Sequence, residues 1–197
     1  MFKRWVLVSA CIMSLSGCAG LFVAGAATTA AIVTDTRSAE QIWQDSQLEF
    51  EVAGISNKKP YPGNLKATAT VFNGKVILIG QAVTEDIRHE FASKVREVKG
   101  VSSVSNQLRV KPLLELSTIS QDSWVTTKVK SSLLTDSSLN GVKIKVITED
   151  GEVFLLGYVT PEQADTAVEI TRNISGVKQV IKAFEINHTA QAEAIEP

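Results

Sequence analysis

Between residues 37 and 186 the chain alternates between two hydrophobic rhythms, one near 3.6 residues and one of two residues or none. Val125, Val129 and Leu133 recur at i, i+4 and i+8 and predict one buried helical stripe. Asp122 or Ser123 is the expected N-cap, which makes this first helix short. Val142, Ile144 and Val146 then alternate with polar residues, and Thr148-Glu149-Asp150-Gly151 leads into the apolar run Val153-Phe154-Leu155-Leu156. Together they predict a β-hairpin closed by an Asp-Gly turn. Pro161 opens a second helix with Ala164, Ala167, Val168 and Thr171 as its packing face; that helix stops at Gly176, and a last strand covers 177–186.

The same order of elements occurs twice. At an offset of 77, Asp45-Ser46 aligns with Asp122-Ser123, Val52 with Val129, Gly74 with Gly151, Val76 with Val153 and Gly80 with Gly157. After one extra residue near Ala82 the offset becomes 76, and Gly100-Val101 aligns with Gly176-Val177. The chain is therefore a duplication. It has an α+β fold class: two tandem modules at 37–111 and 112–187, each α-β-β-α-β with two helices packed on a small three-stranded mixed sheet. A polar tail follows at 188–197.

Ahead of the modules, Lys3 and Arg4 precede an apolar run over 5–15 that is too short to span a bilayer and has the length of a signal-peptide core. Leu15-Ser16-Gly17-Cys18 follows and resembles the lipobox of bacterial lipoproteins, which implies cleavage after residue 17 and acylation of Cys18. The alternatives are an ordinary signal peptide with a chance cysteine, or a single uncleaved anchor. Residues 18–36 become the lipidated N-terminus and tether. Ala19 and Gly20 stand where aspartate would resemble an inner-membrane retention signal, so the resemblance implies the outer membrane.

Composition removes most other chemistry. There are 20 basic and 21 acidic residues, so no overall basic field draws the chain to nucleic acid. Loss of Lys3 and Arg4 with the leader moves the net charge from -1 to -3. Two cysteines and two histidines cannot supply a zinc cluster or a disulfide framework. No metal and no cofactor is expected. His89 falls on a polar helix face and His188 in the tail, and neither completes a catalytic set; an enzyme is not expected.

The hairpin motifs Gly74-Lys75-Val76-Ile77-Leu78-Ile79-Gly80 and Gly151-Glu152-Val153-Phe154-Leu155-Leu156-Gly157, each followed by a helix and Lys99-Gly100-Val101 or Ser175-Gly176-Val177, resemble the BON domain. With the lipobox, the whole resembles the dual-BON outer-membrane lipoprotein family. That resemblance implies phospholipid binding, a link to cell division and envelope stress, and enrichment at division sites. The implied ligand is anionic phospholipid, phosphatidylglycerol or cardiolipin.

The first helix of the second module gives this ligand a place. Opposite its buried stripe lie Trp124, Thr127, Lys128, Lys130, Ser131 and Leu134, an indole and a leucine beside ammonium groups, which suits a membrane interface. In the first module Gln47, Glu49 and Glu51 stand where Trp124, Thr126 and Lys128 do, so that face is anionic and only the second module is expected to bind lipid. The alternative for Trp124 is packing against the first module. Trp43 is expected as a staple or packing contact. A rival function is a periplasmic adaptor for outer-membrane assembly proteins or cell-wall remodelling machinery, with the acidic helix of Glu40, Asp45, Glu49 and Glu51 steering a basic partner.

Overall fold

The computed structural model describes residues 37–187. The leader, Cys18, the tether and the tail with His188 lie outside the described residues. In chain order the elements are α1 (Ala39–Ser56), β1 (Leu65–Phe72), β2 (Lys75–Ala82), α2 (Glu85–Arg96) and β3 (Ser103–Val110), then α3 (Leu116–Thr135), a 3-10 turn (Ser137–Leu139), β4 (Lys145–Glu149), β5 (Glu152–Val159), α4 (Pro161–Arg172) and β6 (Gln179–Ile186). The sheet orders are β1-β2-β3 and β4-β5-β6. In each sheet the first pair is antiparallel and the second parallel, which is the expected α+β module built twice.

Local chemistry sets most boundaries. Ser38 caps α1 in a reciprocal box with Gln41, Thr160 caps α4 with Gln163, and Pro161 occupies the first turn of α4, where a missing N–H costs nothing. Four expectations fail at the edges. Helix α3 starts at Leu116, and Glu115 precedes it without a side-chain cap bond; Asp122 is therefore an interior residue and the helix is 20 residues long. Nothing between Leu116 and Gln121 breaks a helix, so the pattern simply continues upstream. Helices α2 and α4 end at Arg96 and Arg172, four residues before Gly100 and Gly176. Strand β4 begins at Lys145 and leaves Val142 and Ile144 outside the ladder. The last strand begins at Gln179.

The helix-facing cores follow the predicted stripes. Leu48 and Val52 of α1 meet Val76, Leu78, Phe91, Val95 and Leu108 in the first module. Val125, Val129 and Leu133 of α3 meet Val153, Leu155 and Ala167 in the second. Successive strand residues point to opposite faces, so Ile77, Ile79 and Gln81 of β2, and Phe154 and Leu156 of β5, point away from their own helices. The apolar ones meet in a third cluster, in which Ile79, Phe154 and Leu156 are buried against Ile77, Ile147, Ile181 and Ala183. The two sheets thus pack face to face, with helices on the outer sides. Central strands buried on both faces need continuous apolar runs, which is why Val76 to Ile79 and Val153 to Leu156 lack alternation.

Polar contacts rim this seam. Glu149 is buried and accepts from Lys66 at 3.0 Å and from the Gln81 amide at 2.6 Å. Lys75 pairs with Glu185 at 2.6 Å, Arg109 with Glu152 at 2.8 Å and Lys145 with Glu49 at 3.1 Å, and Lys111 pairs with Asp150. In all of these but Lys145–Glu49 the first module supplies the cation and the second the anion.

Candidate functional site

Each module holds its first helix against its hairpin by one buried carboxylate. Asp122, pointing in from α3, accepts the Asp150 and Gly151 amides at 2.7 and 2.8 Å. Asp45 of α1 accepts those of Asn73 and Gly74 at 2.8 and 2.9 Å, and also an Arg37 guanidinium N–H at 2.8 Å. Both hairpins turn through two consecutive positive-φ residues, 49° and 73° at Asn73-Gly74 and 52° and 73° at Asp150-Gly151, the geometry of a type I′ turn. The aligned Asp-Ser pairs are therefore hairpin anchors, and the duplication repeats them for that reason.

Because Asp122 is turned inward, α3 shows no acidic side chain to solvent; it is the only acidic residue of that helix. Outward stand Trp124, 65% exposed, and Leu134, 80% exposed, with Thr127, Lys130 and Ser131 exposed between them. Trp124 is not packed against the first module. It borders a shallow cavity of about 370 Å³ lined by second-module residues alone, among them Lys128, Ser175 and Lys178.

Lys128 departs from its expected role. It is half-buried, and its ammonium donates to the Ser175 carbonyl in the α4–β6 connection, where it ties that loop to α3. Lys178, which sequence reasoning missed because it lies 54 positions from Trp124, borders the same cavity. Its ammonium donates to Asp150 at 2.8 Å, and that bond raises its pKa. Hydrogen bonds from Lys111 and then Lys178 hold the Asp150 carboxyl below its usual range, so the anion nearest the face is neutralised by two cations.

The first module's helix also differs from expectation. Glu49 is no free anion: it accepts the Val71 amide at 3.0 Å and pairs with Lys145 across the seam. Asp45 is buried, which leaves Glu40 and Glu51 as the exposed acids of α1. Trp43 is 65% exposed, so it is neither a staple nor a packing contact, and Phe50 is 78% exposed. Phe50 aligns with Thr127 at the offset of 77, and that register alone would have put it on the outward face. His89 is exposed, with Nε2 2.8 Å from Glu85. Among the described residues no three His, Cys, Asp or Glu side chains are placed to hold a metal, and no helix is long and apolar enough to cross a membrane.

The model of the BON domain matches residues 44–112 and again 121–188. The chain belongs to the BON-domain family. Its BON modules resemble those of the outer membrane lipoprotein DolP of Haemophilus influenzae, with 38% identity over 184 residues, covering 93% of this chain and 95% of that one. The 21 kDa hemolysin of Actinobacillus pleuropneumoniae is 40% identical over 151 residues, 76% of this chain and 78% of its own. The osmotically-inducible protein Y of Escherichia coli is 35% identical over 123 residues, 59% and 61% of the two chains. Likeness across nearly the whole of both chains makes this a dual-BON lipoprotein of the outer-membrane type.

Proposed function

We propose that this protein is a non-enzymatic lipoprotein, anchored through Cys18 in the outer membrane and facing the periplasm, whose second BON module binds anionic phospholipid through α3. One observation carries the reading: α3 turns its sole acid inward and presents Trp124, Lys130 and Leu134 outward, with Lys178 on the shallow cavity that Trp124 borders. An indole settles at headgroup depth, and each exposed lysine near an anionic surface contributes about 1 kcal/mol. Acyl chains supply permanent attachment while the helix adds a weaker contact that responds to lipid composition, and phosphatidylglycerol or cardiolipin supplies the charge. Enrichment at division sites and support of envelope integrity extend the same reading to the cell.

The test is flotation of the anchor-free chain with phosphatidylglycerol liposomes. Trp124→Glu is expected to weaken binding at least about tenfold, or ~1.4 kcal/mol. Its melting temperature should stay near that of the parent, because the position is exposed. Unchanged flotation by the folded variant overturns the assignment.

A second reading is favoured by α1, which exposes Trp43 and Phe50 beside Glu40 and Glu51 and contains no lysine or arginine. That surface repels an anionic bilayer and suits a basic protein partner, as an adaptor to outer-membrane assembly or cell-wall remodelling machinery requires.

A further inference from the structure

Five of the seven large apolar side chains exposed among the described residues stand on two helices, Trp43 and Phe50 on α1 and Leu116, Trp124 and Leu134 on α3. On α1, Trp43, Gln47, Phe50 and Gly54 are all exposed and follow one another at steps of four, three and four residues. On α3, Trp124, Thr127, Ser131 and Leu134 are exposed at steps of three, four and three. Alternating steps of this kind hold a stripe on one side of a helix, and they are the spacing with which one helix packs along another. Neither stripe is covered, because each helix turns it away from its own sheet.

The two stripes differ in ways that fit each other. At the offset of 77 the bulky Trp43 and Phe50 of α1 correspond to Ser120 and Thr127 of α3, whereas the bulky Trp124 corresponds to Gln47. Gly54 is a notch in α1: a Cβ there would meet nothing within 4 Å, so a partner side chain can approach the helix closely. Charge divides the same way. α1 contains no lysine or arginine and exposes Glu40 and Glu51, while α3 exposes no acid and carries Lys130 outward. Neither the Lys130 ammonium nor the Glu51 carboxylate is engaged elsewhere among the described residues. Two α1 stripes would set acid against acid, so the complementary pairing is α1 with α3. Each helix lies outside a different sheet, and one copy cannot bring its own two stripes together.

We infer that the α1 stripe of one copy docks on the α3 stripe of a second copy, joining the lipoproteins head to tail. The contact uses a different face of each partner, so it leaves an α1 stripe open at one end and an α3 stripe at the other, and copies add into a row rather than stopping at a pair. With the anchoring proposed above, copies share one leaflet and meet at a roughly millimolar effective concentration, at which a contact of about millimolar strength suffices. The contact needs no lipid headgroup, but a neighbour's α1 and an anionic bilayer compete for the one α3 face.

The experiment places donor- and acceptor-labelled full chains together in phosphatidylcholine vesicles, whose neutral headgroups leave α3 free, and reads energy transfer against surface density. Carbodiimide crosslinks between isotopically light and heavy copies identify the contact, and Lys130 joined to Glu51 or Glu40 of another copy is expected. Phe50→Glu, at an exposed position, should weaken association at least about tenfold, equal to ~1.4 kcal/mol, and leave flotation with phosphatidylglycerol liposomes unchanged. Failure of the lipid reading shows instead as unchanged flotation by Trp124→Glu, so the two failures are distinguishable. Glu51→Lys and Lys130→Glu should each weaken association alone, because each sets like charges across the contact. A mixture of those two variants should restore it, since each α1–α3 contact between unlike copies again joins opposite charges. Transfer no greater than that of unassociated chains, transfer that Phe50→Glu leaves unchanged, failure of the mixture to restore it, or crosslinks between other surfaces alone overturns the inference and leaves the α1 stripe to a basic partner of another kind.

Discussion

Replacing Asp122 by alanine removes one carboxylate and strands two backbone donors. The carboxylate accepts the Asp150 and Gly151 amides at 2.7 and 2.8 Å, and hydrogen bonds to a charged acceptor contribute about 1.5–3 kcal/mol each. Gly151 is buried, so its N–H finds no water, while half-buried Asp150 recovers part of its loss from solvent. The net cost is therefore about 3 kcal/mol rather than the full sum of two bonds. For a cooperative unit of some 150 residues this lowers the melting temperature by roughly 6–12 °C. The damage should also spread, because Asp150 is the hairpin residue that pairs with Lys111 of the other module. Calorimetry gives the shift, and hydrogen exchange should show the Gly151 amide losing protection ahead of the β5 interior. A shift under about 2 °C, with Gly151 still protected, would refute the anchoring role.

Other expectations separate close packing from surface contact. Gly80→Ala places a Cβ 2.0 Å from the Lys66 carbonyl at a φ of +138°, and should cost more than about 4 kcal/mol by thermal unfolding. In contrast Gly54→Ala, in α1 with nothing within 4 Å, should gain up to about 1 kcal/mol. Glu149→Ala leaves the buried Gln81 amide without its acceptor, while the part-exposed Lys66 ammonium turns to water, and should cost about 1–3 kcal/mol, whereas Arg109→Ala, which breaks an exposed pair, should cost under about 1 kcal/mol in the same denaturant titration. The Asp150 carboxyl is depressed by Lys111 and Lys178, so its contribution is complete above its ordinary value near 4 and is lost as pH falls through the folded value. Melting temperature should then be level from about pH 5 upward and fall below about pH 4, a fall that Asp150→Asn reduces; a decline beginning near neutrality would contradict this.

The helical stripes and hairpin turns were legible because each reflects a local rule. Val125, Val129 and Leu133 are one face of a helix, and Asn73-Gly74 and Asp150-Gly151 are the residues that two positive-φ positions demand. The role of Asp122 was not legible, because a helix-start residue and a residue reaching a hairpin 28 positions away share the same letter. The face-to-face sheets leave a trace in the sequence: the unalternating runs at Val76 to Ile79 and Val153 to Leu156 require burial on two sides. Lys178 on the cavity that Trp124 borders, and Lys145 beside Glu49, left no trace, since only the fold brings them together. Within the outward face, residue identities pointed to its composition, but not to the commitment of Lys128 to Ser175.

The seam between the sheets also sets a problem of timing. An exported chain emerges across the membrane from its N-terminal end, so the first module is complete at residue 110 while the strands that cover it, Lys145–Ile186, are still to come. During that interval Ile77 and Ile79 form an uncovered apolar sheet surface, the kind of surface that makes nascent intermediates stick to one another. Each half is thus the chaperone of the other's inner face. The duplication makes two copies of one fold whose inner faces are covered only when both have formed, so a substitution at Phe154 or Leu156 should reduce yield through the first module as well as through the second.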